Sequence, residues 1–261
     1  MDDTYEAGAK YYDDVYGMKE ALADRDFYVE LAREHGGPVL ELGCGTGRIA
    51  LPIARSGIDI TAVDVSAAML QVLQNKLSDE PDSVRQRVKA VTGDMRRLHL
   101  ERQFSLVTIP FRPMQHMYTT ADQLAALMSA GRHLADRGIL AFDVFNPSFE
   151  KILSGVGNEY LETEWLASDG SDRTFRRFFV KDALDMVHLN LSGRFIYRLY
   201  DGERVVTEEV HPLRMSFYTY PHLELLFAAA GLEIVSEFGS FDRRPLGPDA
   251  PEMIFLLKRC A

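Results

Sequence analysis

The stretch VLELGCGTGRIALPIA, Val39 to Ala54, packs Gly43, Gly45 and Gly47 between an apolar run and a helix-like one. Glycine alone reaches positive φ freely and lets another molecule approach the backbone. A turn of this kind, fed by a buried strand and emptied into a helix, commits the chain to α/β architecture. It also marks the carboxyl end of the first strand, where open α/β sheets take ligands into a crevice.

The rest of the chain extends that pattern. Asp24 to Glu34 carries Phe27 and Leu31 at helical spacing, Gly36-Gly37-Pro38 breaks it, and Val39 to Leu42 reads as a short buried strand. A helix from about Arg48 to Gly57 leads into a second strand, Ile58 to Asp64. Ser66 is placed to cap the helix AAMLQVLQNKL, whose Met69, Leu70, Leu73 and Leu77 form a core stripe. VKAVTGD and FSLVTIP read as strands three and four, Gln123 to Ala135 as an amphipathic helix, and Gly138 to Phe145 as strand five. Such βαβα alternation predicts a parallel sheet with helices on both faces.

From Asn146 to about Phe217 the grammar changes. Val187, Leu189, Leu191, Phe195, Tyr197 and Leu199 recur at period two, and Asp201-Gly202 supplies a hairpin turn into RVVTEEVHPLRMSF. This predicts an antiparallel sheet inserted late, serving as a structural cover, a homodimer face or a wall of the substrate site. A helix from Thr219-Tyr220-Pro221 to Ala230 then restores the first pattern, and LEIVSEF and EMIFLLKR close it as two strands.

Composition narrows the function. Thirty-nine acids against 29 Lys and Arg give a formal charge of −10, which disfavours nucleic acid and anionic lipid and favours a small-molecule partner. No run reaches the roughly 18 apolar residues of a membrane span, so a cytoplasmic location is expected. Cys44 and Cys260 suggest neither a disulfide framework nor a zinc site, and no histidine spacing suggests a metal.

Spacing then tests the nucleotide. A dinucleotide fingerprint is G-x-G-x-x-G, whereas this turn is G-x-G-x-G with Arg48 at the third fingerprint place, which weakens a NAD-dependent oxidoreductase reading. A P-loop is excluded because no Gly-Lys-Ser or Gly-Lys-Thr follows. Asp64, 21 residues after Gly43, ends strand two and suits a ribose diol.

At these residues the chain resembles the class I S-adenosylmethionine (SAM) dependent methyltransferases, whose first motif is an acid followed by G-x-G-x-G, here Glu41-Leu42-Gly43-Cys44-Gly45-Thr46-Gly47. The resemblance implies a Rossmann-like seven-stranded sheet with the late antiparallel insertion. It implies that the glycine turn faces the methionine part of SAM, that Asp64 holds the ribose with Val65 beside the adenine, and that Gly93-Asp94-Met95 reads the adenine edge. S-adenosylhomocysteine (SAH) is the implied product. The chain then divides into an N-terminal helical lid and first helix (1–37), a SAM-binding core (38–149), the inserted sheet (150–215) and a closing helix and strands (216–261). One departure is Phe104-Ser105-Leu106-Val107, where many relatives have an acid after the Phe.

Methyl transfer from a sulfonium is an in-line displacement that demands alignment and exclusion of water. An amine or hydroxyl acceptor also needs a base, for which His is suited. Pro110, a candidate cofactor contact, opens the segment PFRPMQHM after strand four, which places His116 near the crevice. Here the chain is similar to amino-sugar and glycine-type N-methyltransferases, which implies that His116 meets the acceptor amine and that Tyr12 closes the site, with Tyr5, Tyr11 and Tyr16 as substitutes. Arg25 and Arg48 are candidates for the SAM carboxylate, and Glu209, His211 and Arg214 for the acceptor pocket. O-methylation and a non-catalytic SAM or SAH binding protein remain as alternatives.

Overall fold

The computed structural model describes residues 8–17 and 23–260. Helices α1 (Ala9–Gly17) and α2 (Asp24–His35) precede β1 (Val39–Leu42), α3 (Ala50–Arg55), β2 (Ile60–Asp64), α4 (Ala67–Ser78), the short α5 (Asp82–Arg85) and β3 (Val88–Thr92). Then come β4 (Phe104–Ile109), a 3₁₀ turn (Pro113–His116), α6 (Thr120–Arg132), β5 (Leu134–Phe145) and the short α7 (Phe149–Leu153). Four long strands follow, β6 (Glu159–Leu166), β7 (Thr174–Asp185), β8 (Asn190–Asp201) and β9 (Arg204–Ser216), and the chain closes with α8 (Tyr220–Ala229), β10 (Leu232–Phe238) and β11 (Glu252–Arg259).

Seven strands form one Rossmann-like sheet in the order β10-β11-β5-β4-β1-β2-β3, parallel except for β11, which runs antiparallel to both β5 and β10. Both faces are covered, as continuous apolar strands such as VLEL require. Leu40 and Leu42 pack with Val107, Phe142 and Leu223 on one side, while Val39 packs with Ile60, Phe27, Leu31 and Ile53 on the other. The strand order reverses at β1, flanked by β2 and β4, so the crevice opens at the carboxyl ends of these strands.

Several boundaries differ from the sequence reading. Ser66 caps α4 as expected, its Oγ accepting from the Met69 N–H at 3.3 Å. Helix α6, however, starts at Thr120 because Thr119 Oγ1 accepts from the Asp122 N–H at 3.1 Å, and it stops at Arg132. His133 ends it, with Nδ1 2.7 Å from Ser129 O and Nε2 accepting from the Leu100 N–H at 3.0 Å. Leu134 then already pairs with Phe104 in the sheet.

The insertion is a four-stranded antiparallel sheet, β6-β7-β8-β9, of which the sequence periodicity picked out only the last hairpin. Val187 and Leu189 do not lie on its apolar face. Asp185 Oδ1 accepts from the N–H groups of Val187 and His188, both at 3.0 Å, and this turn leaves Val187 85% exposed and Leu189 at φ 53°. Lys181, buried on β7, donates from Nζ to the carbonyls of Lys151 at 2.8 Å and Ser154 at 2.8 Å, satisfying the end of α7. Among the described residues, no helix is long and apolar enough to cross a membrane.

Helix α2 is fastened to the start of α3 by a buried fork. Asp24, fully buried, receives Arg48 Nη1 at Oδ1 (2.9 Å) and Nη2 at Oδ2. Removing one partner leaves the other as an uncompensated buried charge. Asp24→Ala is therefore expected to cost about 3–5 kcal/mol, measured by urea unfolding; a loss below 1 kcal/mol, the range of exposed pairs, would refute it.

Candidate active site

The glycine turn is a local consequence of where β1 ends. The N–H groups of Gly43 and Cys44 both donate to Val63 O, at 2.8 and 3.0 Å, so the chain turns across the end of β2. Gly43 and Gly47 lie at φ 76° and 79° with neighbours where a side chain would stand. A Cβ on Gly43 would fall 2.6 Å from the Pro113 ring, and one on Gly47 would fall 2.4 Å from Leu73 Cδ1. Gly45 has nothing within 4 Å on that side, so its backbone is open to a ligand.

Asp64 ties the two turns together. Its Oδ2 accepts from the Gly45 N–H at 2.7 Å and its Oδ1 from the Ser66 N–H at 2.8 Å. Asp94, after β3, is gripped by Arg96, whose Nε lies 2.9 Å from Oδ1 and whose Nη2 lies 2.6 Å from Oδ2; this pairing holds the Asp94 carboxyl below its usual range. Arg96 reaches Asp122 at 2.6 Å as well, which fixes the loop to α6.

These residues border a cavity of about 540 Å³ that runs from the carboxyl ends of the parallel strands to the inner face of the inserted sheet. Of the residues singled out in sequence, Tyr12, Gly43, Gly45, Asp64, Val65, Gly93, Asp94, Met95, Pro110 and His116 line it. Glu41, Cys44 and Gly47 do not. Cys44 is a buried thiol within the core, Gly47 packs on α4, and Glu41 is 1% exposed beneath the turn. Met69, read as core, also reaches the cavity wall.

The turn after β4 bends sharply. Phe111 and Arg112 sit at φ 62° and 72°, a region unfavourable for side-chain-bearing residues. Asp143 Oδ1 holds the Phe111 N–H at 2.8 Å and the Tyr28 hydroxyl at 2.7 Å, and Arg112 pairs with Glu252. The following 3₁₀ turn is bolted to β9: Gln115 Nε2 donates to Ser216 O at 3.0 Å and Ser216 Oγ to Met117 O at 2.7 Å. His116 ends that turn. Its ring is hydrogen-bonded to the Arg214 backbone, Tyr118 Oη lies 3.5 Å from Nδ1, and burial pushes its pKa down to about 4, so the imidazole is neutral at pH 7.

Helix α1 lies over the cavity. Tyr12 and Tyr16 line it with ring centroids 4.7 Å apart, and burial raises the Tyr12 phenol. Tyr11 instead stacks on Tyr197 at 4.7 Å and donates to Glu209 Oε1 at 2.9 Å; Tyr5 lies outside the described residues. Asp13 fastens the helix below, to Thr46 Oγ1 at 2.8 Å and Lys76 Nζ at 2.6 Å. Glu209 is thus a fastening for α1, and the His211 ring lies beside it, tilted by 44° to the Tyr197 ring with centroids 4.9 Å apart. Arg214 lies over the Tyr118 ring at 4.6 Å. Arg48 is committed to Asp24 and to the Phe111 ring at 4.4 Å, and Arg25 to Asp26 at 3.0 Å, so neither arginine is placed as the carboxylate partner considered from sequence.

Known proteins share parts of this sequence and this fold. Residues 39–138 match a family described as a methyltransferase domain. The chain is similar to a cypemycin N-terminal methyltransferase from Streptomyces, 26% identical over 97% of this chain and 96% of the relative. Its fold is shared with the CcbJ methyltransferase from Streptomyces caelestis (TM-score 0.79, 24% identity, 92% of this chain and 90% of that one). It is shared too with SAM-bound CalS10, an amino pentose methyltransferase from Micromonospora echinaspora (TM-score 0.66, 22% identity, 99% and 98% covered).

Burial moves Glu41 from its ordinary 4.5 to about 8, partly offset by the charge of Arg48. The folded chain therefore holds this proton where the unfolded chain has lost it, and stability falls as pH rises from about 4.5 to 8. Glu41→Gln removes that slope. Urea midpoints across this range should fall more steeply in the wild type than in the variant, and parallel curves would contradict the assignment.

Proposed function

From its membership of the class I SAM-dependent methyltransferases, we propose that this chain transfers the SAM methyl group to a small-molecule amine, with His116 receiving an N–H of the acceptor. The observation that carries the reading is the convergence of the glycine turn, Asp64 and Asp94 on one wall of a single cavity, with His116 on its border too. SAM, when bound, supplies a methyl group on a positively charged sulfur that needs no further activation. The residues fit that cofactor: Asp64 would hold the ribose hydroxyls, Val65, Met69 and Met95 would flank the adenine, Asp94 would meet its edge, and the open backbone at Gly45 would face the methionine part.

The chain's own contribution is alignment. The pinned turn at Phe111 and Arg112 fixes the approach to the methyl-bearing end, and α1, through Tyr12 and Tyr16, shields the cavity from water. The buried, neutral His116 accepts an N–H hydrogen bond, directs the nitrogen lone pair and takes up the proton as the N–C bond forms. The amine reading is supported by relatives named for N-terminal and amino pentose methylation. In this division, the N-terminal helices (1–37) form the lid, residues 38–149 hold the cofactor, 150–215 wall the acceptor and 216–261 close the core. A carboxylate acceptor is the second reading, favoured by the low basicity of His116, because a carboxylate needs no base.

Calorimetric titration with SAM, SAH and NAD is the first test. Micromolar binding of SAM and SAH without NAD is expected; binding of NAD alone would overturn the proposal, and tight SAM binding with no transfer to any acceptor would indicate a non-catalytic binder. His116→Ala should lower kcat for an amine at least about tenfold with SAM affinity unchanged. Because His116 titrates near pH 4, its contribution to the wild-type kcat should be constant from pH 6 to 8 and be lost only toward pH 4 as the ring protonates. Wild-type turnover in the variant would exclude the role of His116.

A further inference from the structure

The half of the cavity furthest from the glycine turn has its own chemistry. The inserted sheet faces it with Phe179, Leu191, Phe195, Leu213 and Met215, an apolar wall of large side chains. Its two charged groups there are Glu162 and Arg177, 3.0 Å apart. Arg177 is 3% exposed, its guanidinium lies 4.6 Å from the Phe195 ring centroid and 5.0 Å from that of Tyr16, and Nη1 donates to Tyr16 Oη at 3.1 Å. The Glu162 side chain keeps 32% of its surface exposed.

Resting on the amine reading above, we infer that the acceptor is a hydrophobic amine, aryl or branched alkyl and without phosphate, whose nitrogen offers one N–H to His116 and a second to Glu162, both on the border of this cavity. A phosphate drawn into such a cavity needs cations that are not already neutralised. Among the described residues, the arginines lining the cavity are Arg112 and Arg177, and each is matched by an acid, Glu252 and Glu162 respectively. Asp64 adds negative charge to the same cavity, and the chain as a whole carries −10. This field repels a nucleoside diphosphate and attracts an amine. The apolar wall, in turn, offers a small hydrophilic amine such as glycine nothing to bury. Arg177 is a positioning residue: stacked and bonded to Tyr16, it fixes the carboxylate that meets the acceptor.

The test uses the full chain. Phenethylamine, glycine and a nucleoside-diphosphate-linked amino sugar are titrated calorimetrically into the SAH complex, and methyl transfer from SAM to each is followed. Phenethylamine is expected to bind, with kcat/KM at least about tenfold above the other two. Glu162→Gln should raise its KM roughly tenfold with SAH affinity unchanged. Leu213→Ser, which leaves the charged pair intact, should raise KM for phenethylamine and leave that for glycine unaltered. Preference for glycine or for the amino sugar would overturn the inference while leaving the amine reading in place; transfer to carboxylates or phenols with no amine accepted would overturn both.

Discussion

The Asp24–Arg48 fork is the constraint on which the site's framework rests. A guanidinium taken out of water must be answered by an acid at fixed geometry, and here the answer comes from the first turn of α2. Arg48 follows the glycine turn directly, so this anchor determines where α3 begins and how the turn is presented. The same cation lies over the Phe111 ring, hydrogen-bonds Tyr12 and partly offsets the burial of Glu41. One charge thereby registers α2, the glycine turn, the turn after β4 and the helix that covers the cavity. Its value is positional rather than energetic, since a buried pair gains little over an apolar substitute.

The parallel core was legible in the sequence because parallel strands are buried on both faces and read as short apolar runs; VLEL, ITAVD and EMIFLLKR needed no tertiary information. The inserted sheet was harder. Strand β6, EYLETEWL, is an edge strand with mostly exposed residues, so no alternation marks it. At Val187 and Leu189 the apolar alternation runs on through a turn made by a carboxylate, which hydropathy does not register. The wall nearest the glycine turn was legible for a different reason: its residues belong to three short local motifs at strand ends. Within those motifs, Glu41, Cys44 and Gly47 serve the turn's packing, a distinction that needs coordinates. Arg48 and its acid are far apart in sequence, as are Glu162 and Arg177, and nothing local announces either pair.

The turn after β4 shows how the core buys its aim at the cavity. Two successive residues in the left-handed region cost about 1–3 kcal/mol each, and Phe111 and Arg112 are kept there by acids from other strands, Asp143 on β5 and Glu252 on β11. The closing antiparallel strand therefore does more than finish the sheet. It supplies the carboxylate that holds one end of the cavity floor in place.

The joint between the two sheets has a consequence for how such a chain diverges. Gln115 reaches a main-chain carbonyl of β9, and the Ser216 hydroxyl reaches the main-chain carbonyl of Met117, the residue that follows the 3₁₀ turn. The donors, Gln115 and Ser216, are not among the residues that line the cavity, so the seam does not depend on which side chains β7, β8 and β9 point into it. Those positions can be exchanged one at a time, residue by alternate residue along each strand, without disturbing the seam or the end of the cavity at the glycine turn. Lineages that keep this architecture can thus change what they modify while retaining how they modify it, with the record of that change written in the pleat of the inserted sheet.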